Sequence, residues 1–256
     1  MASKGAAIKL YTNHGCPFPH FGSRPDQAGC ENTGAHRAHI TLAELGIPFE
    51  EEIIDLDTPR SPEYLKVNPR GLVPSLSYNG EIITESAVVA QFLADAYPSH
   101  LLPASSDPNG PLTRARINFF VDAWFSKVNS FWFKAVFAKT ADESNENAEE
   151  LVKGVVKEIE PLLKDAGPFF GGSSKLTLAE ASRCHRRVLT APFVLRIKAY
   201  AKHGLLPASL TKDFQEKTPN FHIWSEAVVD SRSVTEIFDE DKNVARTKQR
   251  IAKARA

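Results

Sequence analysis

The stretch Asn68-Pro-Arg-Gly-Leu-Val-Pro-Ser75 places two prolines around the start of a predicted strand. Pro74 has no amide hydrogen to donate to a neighbouring strand, so we expect it at a strand start or in a turn. A cis bond between Val73 and Pro74 would expose the backbone of Val73, and an exposed backbone pair can hold a peptide. The alternative is a plain turn into the strand. The residues alone favour that alternative, because only about 5% of X-Pro bonds in folded proteins are cis.

A helix start that could bind a ligand lies downstream, at Thr84-Glu-Ser86. Ser86 is suited to cap the helix that follows, and the amides of a helix start bind carboxylates. Glu85 could accept from an ammonium group, so the two residues together could read an α-amino acid terminus. Taken alone, they favour the simpler interpretation of a capped helix.

The first hundred residues alternate between strands and helices. Asn79-Gly80 is a two-residue hairpin signal, and the apolar spacing predicts the other elements. In chain order these are a strand over 7–12, a helix over 35–45, a strand over 49–54, a helix over 62–67, strands over 74–78 and 81–83, and a helix over 84–97. The predicted order is β-α-β-α-β-β-α.

The second half is predicted to be all helical. Residues 99–110 are rich in Ser, Pro, Asp, Asn and Gly without periodicity, which indicates a linker. Thr177-Leu-Ala-Glu180 fits a capping box. We expect the basic tail over 243–256 to be a solvated helix face or a frayed terminus. Helical spacing recurs over 112–139, 147–165, 177–202 and 221–227.

Composition and charge exclude several classes of protein. In 256 residues, 31 basic side chains balance 31 acidic ones, so the chain lacks the basic footprint of most nucleic-acid binders. No run of about 18 apolar residues predicts a membrane span, and the first residues lack the apolar core of a secretory signal. The three cysteines are a small and odd number, which argues against a disulfide framework. We therefore expect a cytoplasmic protein with free thiols and with no nucleic-acid or membrane partner.

Cys16-Pro-Phe18 lies just past the first predicted strand, where a turn into a helix would present a thiol at the edge of the sheet. Amides at a helix N-terminus lower the pKa of a cysteine from about 8.5 to between about 3.5 and 7.5, which produces a nucleophilic thiolate. The alternative is a buried, inert cysteine. Position after a strand leaves both interpretations open.

In this order the parts resemble a cytosolic glutathione S-transferase, most closely the omega class with its cysteine active site. The parts are a strand, Cys-Pro-Phe, Asn-Pro-x-Gly-Leu-Val-Pro, Glu-Ser at a helix start, a linker and a helical domain. Thr177–Glu180 resembles the capping box of the family's helical domain. Thr218-Pro-Asn-Phe-x-x-Trp224 resembles its late Pro-Asn-x-x-x-Trp segment. The resemblance covers nearly the whole chain.

The resemblance implies a fold of two domains. An α/β thioredoxin-like N-terminal domain over 1–98 would bind glutathione, and a linker over 99–110 would follow it. An all-α helical bundle over 111–256 would contribute the site for the electrophile. The family usually dimerises, so we expect a homodimer.

The resemblance also implies roles for single residues. Cys16 would be the nucleophile, and Phe18 would lie against the glutathione backbone. Val73 would pair through its main chain with the cysteinyl part of glutathione, ahead of a cis Pro74. Glutathione would be the co-substrate.

The γ-glutamyl end of glutathione would be held by Glu85 at its ammonium group and by Ser86 at its carboxylate. The omega pattern adds a lysine before Pro-Glu-Trp, whereas this chain reads Arg60-Ser-Pro-Glu-Tyr64. Arg60 is the candidate substitute, at a shifted position.

The chain departs from the omega pattern over 19–34. These sixteen residues separate Cys16-Pro-Phe18 from Ala35-His-Arg-Ala-His-Ile40, which are continuous in omega-like sequences. The segment is an inserted loop or an untranslated piece of gene read through into the protein. Pro19 disfavours helical geometry at the preceding residue, so we expect the first helix to begin near Thr33 or Ala35.

Several side chains near the insertion carry metal-binding atoms. Structural zinc sites use short Cys-x₂₋₄-Cys pairs with matching histidine pairs, and no such pair occurs. We therefore expect a solvated loop and no metal. The side chains are His14, Cys16, His20, Cys30, His36 and His39.

The function predicted from these features is glutathione-dependent thiol transfer or reduction through a thiolate at Cys16. One alternative is conjugation of glutathione to an electrophile without Cys16, in which a hydroxyl such as that of Thr12 or helix amides stabilise the glutathione thiolate. Another alternative is a non-catalytic binding protein whose site the insertion disables.

Overall fold

A computed structural model describes residues 5–14, 34–56, 58–181 and 190–255. Cys16, Phe18, Cys30 and Cys184 lie outside these ranges, and so does the predicted insertion except for Gly34. The roles of Cys16 and Phe18 therefore stay predictions.

Four strands form a mixed sheet in the order β2-β1-β3-β4. The neighbours β1 and β2 are parallel, whereas β3 is antiparallel to both β1 and β4. Asn79 and Gly80 turn the chain between β3 and β4 with φ of 51° and 90°, the left-handed geometry that a two-residue hairpin needs. This confirms the predicted hairpin. The strands are β1 (Ile8–Thr12), β2 (Glu50–Ile53), β3 (Ser75–Tyr78) and β4 (Glu81–Thr84).

Two helices cover one face of this sheet. Leu10 and Leu76 of the sheet are fully buried in one cluster with Leu42 and Leu93 from those helices. Gly46 follows the first helix with φ of 61°, as expected for a glycine that ends a helix. The order β-α-β-α-β-β-α is confirmed. The helices of this part are α1 (Gly34–Leu45), α2 (Pro62–Val67) and α3 (Ser86–Ala96), of which α1 and α3 pack on each other and on the sheet.

The described part of the chain after β4 contains no further strand. Two π-helical turns, Trp124–Val128 and Val155–Ile159, interrupt the helices. In the described residues, no helix is long and apolar enough to cross a membrane. The helices are α4 (Gly110–Ala123), α5 (Asn129–Val136), α6 (Ala141–Gly154), α7 (Leu178–Ala181), α8 (Ala191–Lys202), α9 (Ser209–Lys217), α10 (Pro219–Asp230), α11 (Arg232–Thr235) and α12 (Glu240–Arg255).

Three helices were not found from the apolar spacing, namely α9, α12 and the single turn α11. Helix α9 carries only Leu210 and Phe214 as buried positions, which is too sparse a pattern to recognise. The basic tail forms α12, and the structure selects a packed helix over a frayed end. Asn243 and Thr247 hydrogen-bond to the buried hydroxyl of Tyr200, at 2.9 and 2.7 Å. This packing face was not recognised in the sequence, because its contacts are polar and basic residues surround them.

The predicted capping box is the centre of a larger buried network. The Glu180 carboxylate is fully buried, and one of its oxygens accepts from the Thr177 amide and hydroxyl, both at 2.7 Å. The other oxygen accepts from the Phe170 amide at 2.9 Å and from Trp224 Nε1 at 2.7 Å. Burial raises the pKa of Glu180, and these hydrogen bonds act in the opposite direction. A single carboxylate therefore links α7, the preceding loop and α10.

Replacing Glu180 with Gln should destabilise the fold, because glutamine keeps the shape but has only one accepting oxygen. A buried donor that loses its acceptor costs about 1–3 kcal/mol, so we expect a loss of at least about 2 kcal/mol in the free energy of unfolding, measured by urea denaturation. The control is Thr140→Ala, which removes the cap that accepts from the Glu143 amide and should cost about 1 kcal/mol. Equal losses in the two variants would contradict the central role of Glu180.

Candidate functional site

The sheet register brings the predicted glutathione-binding residues to one edge. Ser75 pairs with Tyr11 on one side and with Thr84 on the other. Pro74, which precedes Ser75, and Glu85, which follows Thr84, therefore lie at the same end of the hairpin. The chain that leaves β1 toward residue 16 begins at this end as well.

The backbone of Val73 is available at this edge. The Val73–Pro74 bond is cis, and the side chain of Val73 is buried in a cluster with Ile54 and Tyr64. Among the described residues, none forms a hydrogen bond with the amide or carbonyl of Val73. The side chain thus anchors a backbone pair that a ligand can use.

Two buried polar side chains shape the loop before the cis bond. Asn68 donates to the Leu72 carbonyl at 2.9 Å and to Ser75 Oγ at 3.2 Å. The Tyr64 hydroxyl also donates to the Leu72 carbonyl. Burial raises the pKa of Tyr64, so the hydroxyl keeps the proton that it donates. These bonds fix the loop without using the backbone of Val73.

Arg60 hydrogen-bonds to the backbone of this loop, and its guanidinium is used there and not at the edge that carries Val73. Its guanidinium donates to the carbonyls of Gly71 at 2.9 Å, Asp55 at 2.9 Å and Thr58 at 2.7 Å. Gly71 has φ of 66°, and a β-carbon there would lie 3.1 Å from Arg60 Cγ. The three bonds therefore place Arg60 in the structure of the loop. The suggestion that it substitutes for the family's lysine finds no support in this geometry.

Helix α3 begins differently from the prediction. Its first residue is Ser86, and the residue before the first turn is Glu85, so our assignment of Ser86 as the cap was wrong. The reason is that β4 ends at Thr84, which leaves a single residue to turn the chain. Glu85 accordingly has φ of 69°, a strained value for a non-glycine residue and one that is common at ligand sites. No described side chain caps this helix start, so its amides can bind an anion.

Sequence analysis missed Arg70, which connects the loop and the helix start. Its guanidinium lies 2.5 Å from the Glu85 carboxylate, and both side chains are about half exposed or more, at 67% and 48%. An exposed pair of this kind is worth at most about 1 kcal/mol, so it exchanges easily for a ligand. The sequence signal that could have indicated Arg70 was its position between the two prolines of the 68–75 motif.

Two buried histidines of α1 are neutral at physiological pH. Burial lowers the pKa of His36 to about 3 and that of His39 to about 4. His36 contacts the Val234 carbonyl at 2.7 Å, and His39 contacts Thr12 Oγ1 at 3.1 Å. These rings therefore supply no positive charge to a thiolate, and Thr12 is fully buried against one of them.

Fold and site define a class of protein. The sheet is of the thioredoxin type, with a cis-proline loop and a helix start at one edge, and the rest of the described chain is helical. Residues 34–96, which span α1 to α3, match the family described as "Glutathione S-transferase, N-terminal domain".

Relatives and solved structures agree with this match. Glutathione S-transferase 3 from Glycine max is 34% identical over 138 residues, covering 53% of this chain and 59% of that protein. Glutathione S-transferase omega-1 from Mus musculus is 26% identical over 223 residues, covering 86% of this chain and 76% of that protein. The crystal structure of glutathione transferase Omega 1C from Trametes versicolor has a TM-score of 0.70 at 26% identity and covers 98% of this chain and 99% of that chain.

The chain has the glutathione S-transferase fold, and over most of its length it is similar to omega-class members. The matched region spans 59% of the length of the Glycine max relative.

Proposed function

We propose that the protein is a glutathione-dependent transferase that carries out thiol transfer through a thiolate at Cys16. The observation that supports this most is the backbone of Val73, which is unpaired among the described residues and lies beside the uncapped start of α3. A free backbone pair and a free helix start are what a short peptide with an α-amino acid terminus requires.

Glutathione would bind along this edge as an added strand. Its cysteinyl amide and carbonyl would pair with the backbone of Val73, and Phe18 would lie against its backbone. The γ-glutamyl carboxylate would accept from the first amides of α3 and from Ser86. Its ammonium group would donate to Glu85, in exchange for part of the ion pair that Glu85 makes with Arg70.

The reaction would consist of two thiol–disulfide exchanges. The Cys16 thiolate attacks the glutathione sulfur of a mixed disulfide, the old S–S bond breaks, and the substrate leaves as a thiolate that takes up a proton. Cys16 is then disulfide-bonded to glutathione. A second glutathione thiolate attacks that bond, releases oxidised glutathione and returns Cys16 to the thiolate. Overall, one reduced glutathione is consumed: the mixed disulfide and glutathione become the substrate thiol and oxidised glutathione.

Conjugation to an electrophile is the rival activity, with Cys16 as a bystander. It would need another group to stabilise the glutathione thiolate. Thr12 is poorly suited, since its hydroxyl is buried against His39. A binding protein without catalysis is the third candidate. Location in the cytoplasm, and the absence of nucleic-acid and membrane partners, stay predictions from the sequence.

Changing Cys16 to Ser should abolish glutathionyl exchange on a mixed disulfide, because a hydroxyl cannot form the intermediate disulfide. The control is Cys184→Ser, which should keep the wild-type rate. Conjugation of glutathione to a chlorinated arene is measured beside it. Exchange that survives in Cys16→Ser would disprove the thiolate mechanism, conjugation alone would favour the rival activity, and neither reaction would favour the binding protein.

Replacing Glu85 with Gln should weaken glutathione binding, because the ammonium group loses a charged acceptor while the side chain keeps its shape. The loss of such a bond costs about 1.5–3 kcal/mol, which is roughly a ten- to hundredfold rise in Kd by calorimetry. Glu81→Gln is the matched control, since Glu81 lies at the other end of the same strand. An unchanged Kd in Glu85→Gln would show that glutathione is read elsewhere.

A homodimer is part of this proposal, and α4 offers a surface for it. Leu112 and Phe119 are 64% and 61% exposed and lie seven residues apart, on one face of the helix. Val88 of α3 is exposed as well. Exposed apolar faces of this kind are typical of interfaces between subunits.

Introducing charge on this face should give a monomer. We expect wild-type protein to have the mass of a dimer in light scattering, and Leu112→Glu with Phe119→Glu to have the mass of a single chain. Ile223→Glu is the control, because Ile223 is 62% exposed on a different helix, α10. Equal masses for wild type and the double variant would rule this surface out.

A further inference from the structure

A second group of reactive side chains lies where β1, β2 and α1 meet. His14 follows β1, Glu51 belongs to β2, and His39 belongs to α1. Nε2 of His14 lies 2.6 Å from Oε1 of Glu51, and Nε2 of His39 lies 3.0 Å from the same oxygen. The three ligand atoms all lie within 4.8 Å of one another.

The fold holds these side chains in place. Glu51 pairs with Leu10 in the sheet register, and paired residues share a face, so Glu51 lies on the side that α1 covers. The His39 ring is buried between Phe49, with ring centroids 5.7 Å apart, and the hydroxyl of Thr12. His14 meets the His39 ring edge-on at 5.0 Å. Two rings from separate elements thus converge on one carboxylate.

This donor set has the composition of a zinc site. Two imidazoles and one carboxylate are a set of three protein ligands that binds Zn²⁺ and leaves a fourth position open. Around a tetrahedral ion with bonds of about 2.1 Å, ligand atoms lie about 3.4 Å apart, so the observed 2.6 and 3.0 Å need to widen by less than about 1 Å. His14 and Glu51 are 39% and 30% exposed, which gives an ion access from solvent.

No lysine competes for Glu51 among the described ion pairs. Glu50 and Glu52 project from the opposite face of β2, where Lys9 pairs with Glu52 at 2.7 Å, so the carboxylate of Glu51 is left to the two rings. The group is on the β2 side of β1, whereas the Val73 edge is on the β3 side. The group is therefore distinct from the Val73 and Glu85 part of the proposed glutathione site, although His14 precedes Cys16 by two residues.

We propose that His14, His39 and Glu51 form a binding site for Zn²⁺, with a fourth position open to water. This proposal differs from our expectation of no metal. That expectation considered His14 and His39 but looked for paired ligands close in sequence, whereas the third ligand, Glu51, comes from a different element, the strand β2. A bound ion would join β1, β2 and α1 and would stabilise the folded chain.

The test uses the full chain without a histidine tag and with Cys16, Cys30 and Cys184 replaced by Ser, so that no thiol can bind metal. After treatment with a chelator, ZnCl₂ is titrated by calorimetry. We expect one ion per chain and a rise in melting temperature with zinc. CoCl₂ should produce visible d–d absorption without sulfur charge-transfer bands.

Two variants identify the ligands. His14→Asn and Glu51→Gln should each weaken zinc binding by more than about tenfold, since loss of an outer partner alone costs about 10- to 100-fold. Both side chains are partly exposed, and circular dichroism checks that the variants fold. His100→Asn is the matched control, because His100 makes a similar pair with Glu44 at 2.9 Å, and it should bind as the parent does.

The proposal fails if the cysteine-free chain binds no zinc, or if His14→Asn and Glu51→Gln bind it as tightly as the parent. It also fails if His100→Asn weakens binding as much as His14→Asn does. Glutathione affinity has no part in these readouts, so the result is independent of the proposed function.

Discussion

The buried carboxylate of Glu180 is the constraint on which the helical half depends. Removing a charge from water costs several kcal/mol, and the cost is offset here because four donors converge on two oxygens. The network fixes α7, and the first amide of α7, on Leu178, donates to the Leu101 carbonyl at 2.7 Å. Helices α1 and α3 of the sheet region pack against α7. The same carboxylate therefore also stabilises a helix against which the sheet region packs.

The candidate glutathione site follows from strand register more than from any single side chain. The pairs Tyr11–Ser75 and Ser75–Thr84 set three chain segments side by side. The cis-proline loop, the start of α3 and the exit of β1 then share an edge without further adjustment. The tight hairpin also leaves Glu85 alone between strand and helix, which explains its left-handed backbone. The uncapped amides and the strained acid are two results of one short connection.

Local sequence signals predicted most of the fold. Contacts between residues that are far apart in the sequence could not be predicted in this way. Asn79-Gly80 and Thr177–Glu180 act within four residues, so their geometry could be predicted. The cap at α3 was misassigned by one residue because serine suits either position. The partners of Arg70 and of Glu51 could not be predicted, since each pair forms through the tertiary fold.

The exit of β1 connects the two candidate sites. The Ile54 amide donates to the Thr12 carbonyl at 2.8 Å, and Asn13 Nδ2 donates to the Ile54 carbonyl at 2.8 Å. These bonds hold the chain to the residue after β2 as far as His14, whose ring reaches Glu51. Cys16 is two residues further along the sequence. The contact between His14 and Glu51, whether a hydrogen bond or a shared ion, therefore fixes the chain two residues before Cys16, the proposed nucleophile.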